Sequence, residues 1–168
     1  MLERLREETG ESVNLGVREG GDTIVLMHRK SPQPLRSSQK PGSRLPGYAT
    51  FLWARRPSTR ASPSRLSSMP SRCPCAPLTR NTIVSIEQLH KELETIRREG
   101  IGVDDKEALP NVRCVGASIL SPTGRPLDAV ASQGPSVRMS PDEDKTLAPV
   151  VRAAAEELAR VMPAVHEL

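Results

Sequence analysis

The 168-residue chain predicts an α+β domain, a single antiparallel sheet flanked by helices. Three observations carry that expectation. Two pairs of apolar runs are each joined by a glycine-containing turn, as in hairpins. Helical stretches with marked ends stand before, between and after those pairs. The length suits one domain with its own core, and an aromatic content of 2% makes that core aliphatic.

The elements follow in order. Met1 to Thr9 reads as the end of a helix, with Gly10 placed to stop it. In "ESVNLGVRE" the residues Val13, Leu15 and Val17 alternate onto one face of a strand. "DTIVLMHRK" is a second strand, and Gly20, Gly21 and Asp22 supply the positive φ of a tight hairpin. "SPQPLRSSQKPGSRLPGYAT" is rich in Pro and Gly and reads as a long loop. "SIEQLHKELETIRREG" is a helix with both ends marked. Ser85 and Gln88 have capping-box spacing, and Gly100 is the stop. Ile86, Leu89, Leu93 and Ile96 share one face of it. "VRCVGASIL" and "PLDAVASQG" are β-compatible, and "SPTGR" turns between them with Gly124 in the left-handed position. The last helix starts with Ser140 as N-cap, Pro141 at its first position and Glu143 two residues on. Pro149 bends that helix or marks its true start.

One segment does not fit. From Phe51 to Leu78 the chain holds five arginines, five prolines, six serines and no acidic residue. The chain's net charge is +4, so everything outside the segment sums to −1. The basic character therefore belongs to one stretch and not to a basic face. Domain organisation is read as residues 1–50, an anomalous disordered stretch at 51–78, and residues 79–168 completing the same domain.

Cys73, Cys75 and Cys114 are too few and too unevenly placed for a disulfide framework. Cys73-Pro-Cys75 is too close-set for a zinc ribbon or finger, and no second Cys or His pair follows it. His28, His90 and His166 are scattered. No metal or cofactor is expected. Neither a nucleophile–base pair nor a phosphate-cradling glycine motif is present, so no enzyme is expected. The charged start "MLERLREETGE" is no signal peptide and no run has membrane-spanning length. These features imply a cytoplasmic protein with no membrane contact.

The stretches "LERLREETGESVNLGV", "SPQPLR…GSRLPGYAT", "IRREGIGVDDKEALPNVRCVGASIL" and "GRPLDAVASQGP" together resemble the effector-binding domain of IclR-type bacterial transcriptional regulators. Their order and spacing carry the likeness, which spans about Leu2 to Tyr48 and Asn81 to Met162. The resemblance implies a GAF-like fold, a small-molecule effector that is often an organic acid, and a homo-oligomer. It also implies an N-terminal winged helix-turn-helix, which no stretch of this sequence matches. No direct DNA contact is therefore expected from this chain, a truncated regulator. The Arg-rich stretch stands where the family reads "ATALGKALLA". A two-nucleotide shift across "LWARR" permits Leu-Gly-Lys-Ala. Phe51 to Leu78 then reads as an out-of-frame translation between two compensating indels. A natural disordered insert is the alternative. Other readings of the whole chain are a nucleic-acid-binding protein that uses the arginines as phosphate contacts, or a non-functional remnant.

Six residues are nominated for the effector site. A carboxylate at a pocket edge accepts hydrogen bonds from ligand hydroxyls, and the resemblance favours Asp104 over Asp105 for that place. The bland reading of "GVDD" is a solvated turn or a cap. Cys114 lies in an apolar strand, where a free Cys is commonly a small buried hydrophobe; the resemblance makes it a pocket residue. Family members often read "ISxSGP" where this chain reads "VASQGP". Aligned on Gly134, the two hydroxyl positions become Ala131 and Gln133, with Ser132 on the opposite face. One donor is lost and one becomes an amide, which implies a different effector or a degraded pocket. Val112 and Leu45 are nominated as lining, with ordinary core as their alternative.

Overall fold

The computed structural model describes residues 1–19, 22–46, 77–124 and 126–162. The elements are helix α1 (Leu2–Thr9), strands β1 (Ser12–Glu19), β2 (Asp22–Arg29) and β3 (Arg44–Pro46), helix α2 (Ile86–Glu99), strands β4 (Gly102–Asp105), β5 (Val112–Leu120) and β6 (Pro126–Pro135), and helix α3 (Pro141–Val161). The strands form one six-stranded sheet in the order β3-β2-β1-β6-β5-β4. Every neighbouring pair is antiparallel. The expected sheet flanked by helices is thus the fold.

The expectations about individual elements hold in most places. Gly10 and Gly100 adopt φ of 69° and 71° and close α1 and α2. The Ser85 side chain accepts the Gln88 N–H. At α3 the Ser140–Glu143 capping box is complete. Pro149 lies inside a continuous α3, so it is not the start of that helix.

Two short strands differ from the sequence reading. Arg44–Pro46, read as loop, adds β3 to the outer side of β2. "GVDD", read as a connection, adds β4 to the outer side of β5. Segments of three and four residues carry too little periodicity to announce a strand.

The two faces of the sheet have different fates. Val13, Leu15, Val115, Ile119 and Val130 point to one side and meet Leu5 of α1 and Val151, Ala155 and Leu158 of α3. This is the main core, and it is aliphatic as the composition requires. Leu89, Leu93 and Ile96 of α2 form a separate buried cluster with Ile83 and Ile86. Arg152 Nη2 of α3 donates to the Glu99 carbonyl at 2.6 Å and ties the end of α2 to that layer.

The other face of the sheet is roofed by irregular backbone. The loop after β2 is pinned by serines. Ser12 Oγ donates to the Ser37 carbonyl at 2.7 Å and accepts the Ser31 N–H at 3.1 Å, while Ser31 Oγ donates to the Gly10 carbonyl. Arg138 holds the same loop from the far side. Its Nε and Nη2 donate to the two Glu11 carboxylate oxygens at 2.6 and 2.9 Å, and Nη2 also reaches the Leu35 carbonyl.

The Glu11 carboxylate lies directly over Gly134. A Cβ there would stand 2.5 Å from Oε2 and 2.7 Å from Cδ. Gly134→Ala is therefore expected to displace Glu11 from Arg138 and to destabilise by about 2 kcal/mol. An unchanged urea midpoint would show that Glu11 relaxes without cost.

Candidate functional site

A cavity lies between the second face of the sheet, the loop after β2 and the β4–β5 connection. Its floor follows from strand register. Asp104 on β4 is directly opposite Cys114 on β5, which is opposite Gln133 on β6. Directly opposed residues share a face, so the three side chains form one row. The next row holds Gly102, Gly116, Ala131, Asn14 and His28. The glycines and the alanine carry little bulk, which leaves space above them.

All six nominated residues line this one cavity. Asp104, Cys114, Gln133 and Ala131 come from the two rows, Val112 from the start of β5 and Leu45 from β3. Leu45 packs against Ala129 and Ala131. Among the described residues, Asn14, Gln39, Ala108 and Leu109 complete the lining and were not nominated. The space is tight. About 20 Å³ is open to the centre of a water molecule, room for roughly one water.

Alternation along β4 separates its two aspartates. Asp104 is 4% exposed and faces the cavity, where Oδ1 accepts the Glu107 N–H at 2.7 Å. It thus caps the turn and lines the pocket at once. Asp105 faces the helix side, with Arg113 Nη1 at 2.6 Å. The preference for Asp104 as the cavity-side residue agrees with this placement.

Burial dominates the acid–base character of the site. It raises the Asp104 carboxyl to about 6, against the pull of the Glu107 and Ala108 N–H groups. Glu107, 6% exposed, is raised to about 8 by burial and then by the charges of Asp104 and Glu92. Burial, with Asp104 beside it, pushes the Cys114 thiol well up. A thiol in that state is no nucleophile.

A chain of side-chain hydrogen bonds crosses the floor. His28 Nδ1 lies 2.6 Å from Asn14 Oδ1, and Asn14 Nδ2 donates to Gln133 Oε1 at 2.5 Å. Gln133 Nε2 donates to Ser37 Oγ, and Cys114 Sγ lies 3.9 Å from Gln133 Oε1. Burial, with Lys30 and Arg29 nearby, lowers the His28 pKa. The ring is therefore neutral at pH 7. With Asn14 Oδ1 as acceptor, its proton sits on Nδ1.

The connection between β4 and β5 supplies the opposite wall. Lys106 and Asn111 take φ of 64° and 63° there, an unusual conformation for side chains with a Cβ. The segment before α2 braces it. Thr79 Oγ1, Asn81 Nδ2 and Thr82 Oγ1 donate to the carbonyls of Lys106, Asp105 and Glu107 at 2.7, 2.8 and 2.7 Å.

Among the described residues no group of three or more His, Cys, Asp or Glu side chains is placed to hold a metal ion, and no helix is long and apolar enough to cross a membrane. Cys73, Cys75, His166 and the arginines from Arg55 to Arg72 lie outside the described residues. The readings of that stretch as a metal motif, a nucleic-acid arm, an insert or an out-of-frame segment lie there too.

Residues 1–160 match the family described as bacterial transcriptional regulator IclR, C-terminal. The chain belongs to the IclR family. The probable transcriptional regulator SauR of Cupriavidus necator is 33% identical over 164 residues, covering 95% of this chain and 63% of SauR. The acetate operon repressor of Salmonella typhimurium is 30% identical over 165 residues, covering 94% and 58%. The crystal structure of the Thermotoga maritima IclR superposes with a TM-score of 0.80 at 26% identity, covering 95% of this chain and 64% of that one. The fold is therefore the GAF-like fold of the IclR C-terminal domain, the part of these regulators that binds effectors. The chain spans less than two thirds of each of these relatives.

Proposed function

We propose that this IclR-type domain senses a small metabolite in the cavity floored by Asp104, Cys114, Ala131 and Gln133. One observation carries the reading: six residues nominated on four separate strands line a single cavity. The domain regulates transcription and performs no catalysis; the neutral Cys114 thiol agrees with that. It works in the cytoplasm as a homo-oligomer, and this domain itself makes no contact with DNA. The resemblance implies an organic acid as effector. Such an acid would meet its hydrogen-bond donor in Gln133, where the family has a hydroxyl.

A thermal-shift screen against a metabolite panel tests the reading. A ligand at about 100 times its Kd stabilises by about 2.7 kcal/mol, a rise of a few degrees for a domain of this size. Ala131→Leu fills the cavity floor and is expected to abolish the shift. A shift that survives Ala131→Leu would place binding elsewhere.

A further inference from the structure

We propose that His28, one side chain removed from the cavity, is a positioning residue for the effector: acting through Asn14, it turns the Gln133 amide so that an N–H and not a C=O faces the ligand. This role rests on the cavity being the effector site. It selects a ligand oxygen that accepts a hydrogen bond, such as that of a carbonyl or carboxylate.

Asn14 and Gln133 both line the cavity, and each is 3% exposed. A side-chain amide has a donor end and an acceptor end. When it is buried, pairing either end wrongly leaves a desolvated group without its hydrogen bond. Neighbouring buried amides therefore turn together. Strand register sets Asn14 between His28 on β2 and Ala131 on β6, with Gln133 two residues further along β6. His28 Nδ1 donates to Asn14 Oδ1 at 2.6 Å, Asn14 Nδ2 donates to Gln133 Oε1 at 2.5 Å, and Gln133 Nε2 donates to Ser37 Oγ. Every donor in this chain points away from His28.

The direction is imposed at the His28 end. The Ser37 hydroxyl donates or accepts and suits either direction. The Cys114 thiol, 3.9 Å from Gln133 Oε1, is only a weak donor. A neutral imidazole nitrogen, by contrast, either donates or accepts, according to where the ring carries its proton. With the proton on Nδ1, Asn14 presents its oxygen to the ring and its NH2 to Gln133. Gln133 Oε1 is then taken up by Asn14 and Cys114. One Nε2 proton goes to Ser37, and the second is left for the cavity. With the proton on Nε2 instead, both amides would turn over: Asn14 Nδ2 would face the ring, Gln133 Nε2 would face Asn14 Oδ1, and Gln133 would offer the cavity an acceptor.

Nitrogen-15 NMR of the His28 ring in the full chain, without ligand, reads the position of the proton directly. At neutral pH the Nδ1–H form is expected, and the Nε2–H form would overturn the proposed role. Acetone and 2-propanol then probe the floor. They are uncharged and close in size; the ketone only accepts, while the alcohol also donates and so suits either amide orientation. Binding is followed on the Asn14 and Gln133 side-chain amide signals, and acetone is expected to shift the Gln133 N–H signal downfield. His28→Phe keeps a ring and removes the donor. It is expected to weaken acetone about fivefold, the worth of one hydrogen bond, and to change 2-propanol by less than about twofold.

A purely structural role for His28 would weaken both probes alike. That result, or no change in either probe, overturns the positioning role and leaves the cavity as the effector site. If neither probe moves either signal in the wild type, the role fails together with the site assignment. Where His28→Phe does not fold, the wild-type ring proton and the direction of the acetone-induced shift decide the matter.

Discussion

Between pH 5 and pH 9 the domain is expected to lose stability, and Glu107→Gln to remove the larger part of that loss. Burial raises Glu107 from 4.5 to about 8 and Asp104 from 3.8 to about 6. The native state therefore holds more protons than the unfolded chain between about pH 4 and pH 8. Both groups stabilise fully when protonated. That contribution fades as pH rises through about 6 for Asp104 and about 8 for Glu107. Two neighbouring carboxyls titrate as a pair, and the pair gives up its last proton as pH passes about 8. The loss is on the order of 3 kcal/mol across the range. Glutamine keeps the shape and cannot ionise, so the variant resists alkaline pH better than the wild type. Urea midpoints at pH 5, 7 and 9 check this. A wild-type midpoint that is flat or rises with pH contradicts the buried-carboxyl account.

Arg113→Met is expected to cost about 3 kcal/mol, because breaking a buried ion pair leaves an uncompensated charge. The Arg113 side chain is 5% exposed and lies between Asp105 and Asp144, the latter in the first turn of α3. Asp144 is already pushed upward by burial, against the pull of this arginine. Methionine matches the arginine stem but strands the Asp144 carboxylate. The double variant Arg113→Met/Asp144→Asn removes that charge and is expected to recover a good part of the loss. No recovery in thermal or urea unfolding would mean that the arginine acts through packing alone.

The periodic elements of this chain were legible because burial imposed a pattern on them. Val13 and Leu15 alternate because they meet the apolar sides of α1 and α3, and Leu89, Leu93 and Ile96 recur at helical spacing along the one buried side of α2. Caps at Ser85 and Ser140 were legible because few side chains satisfy exposed N–H groups at a helix start. The roof of the cavity was not legible. Gln39, Ala108 and Leu109 stand on irregular backbone, which has no period to read. Nothing in the sequence around Glu107 marks it as buried; only the fold shows that. Asn14 did leave a signal: a polar residue between Val13 and Leu15 marks a strand face that is neither core nor solvent. The lining chosen in advance came from likeness to a family; strand alternation added that Ala131 and Gln133 share a face.

Strand β4 has one further consequence. It sits at the rim of the sheet, with β5 as its neighbour among the described strands, and adjacent residues look in opposite directions. One peptide bond joins the aspartate that faces the cavity to the aspartate that grips Arg113. The two charge systems are therefore geared together. A slide of the strand by a single residue would exchange their places, so the pocket cannot lose its carboxylate by such a slide without the helix layer losing one end of its ionic clasp. Whatever tugs on Asp104 from the ligand side meets resistance anchored in α3, across the full thickness of the sheet.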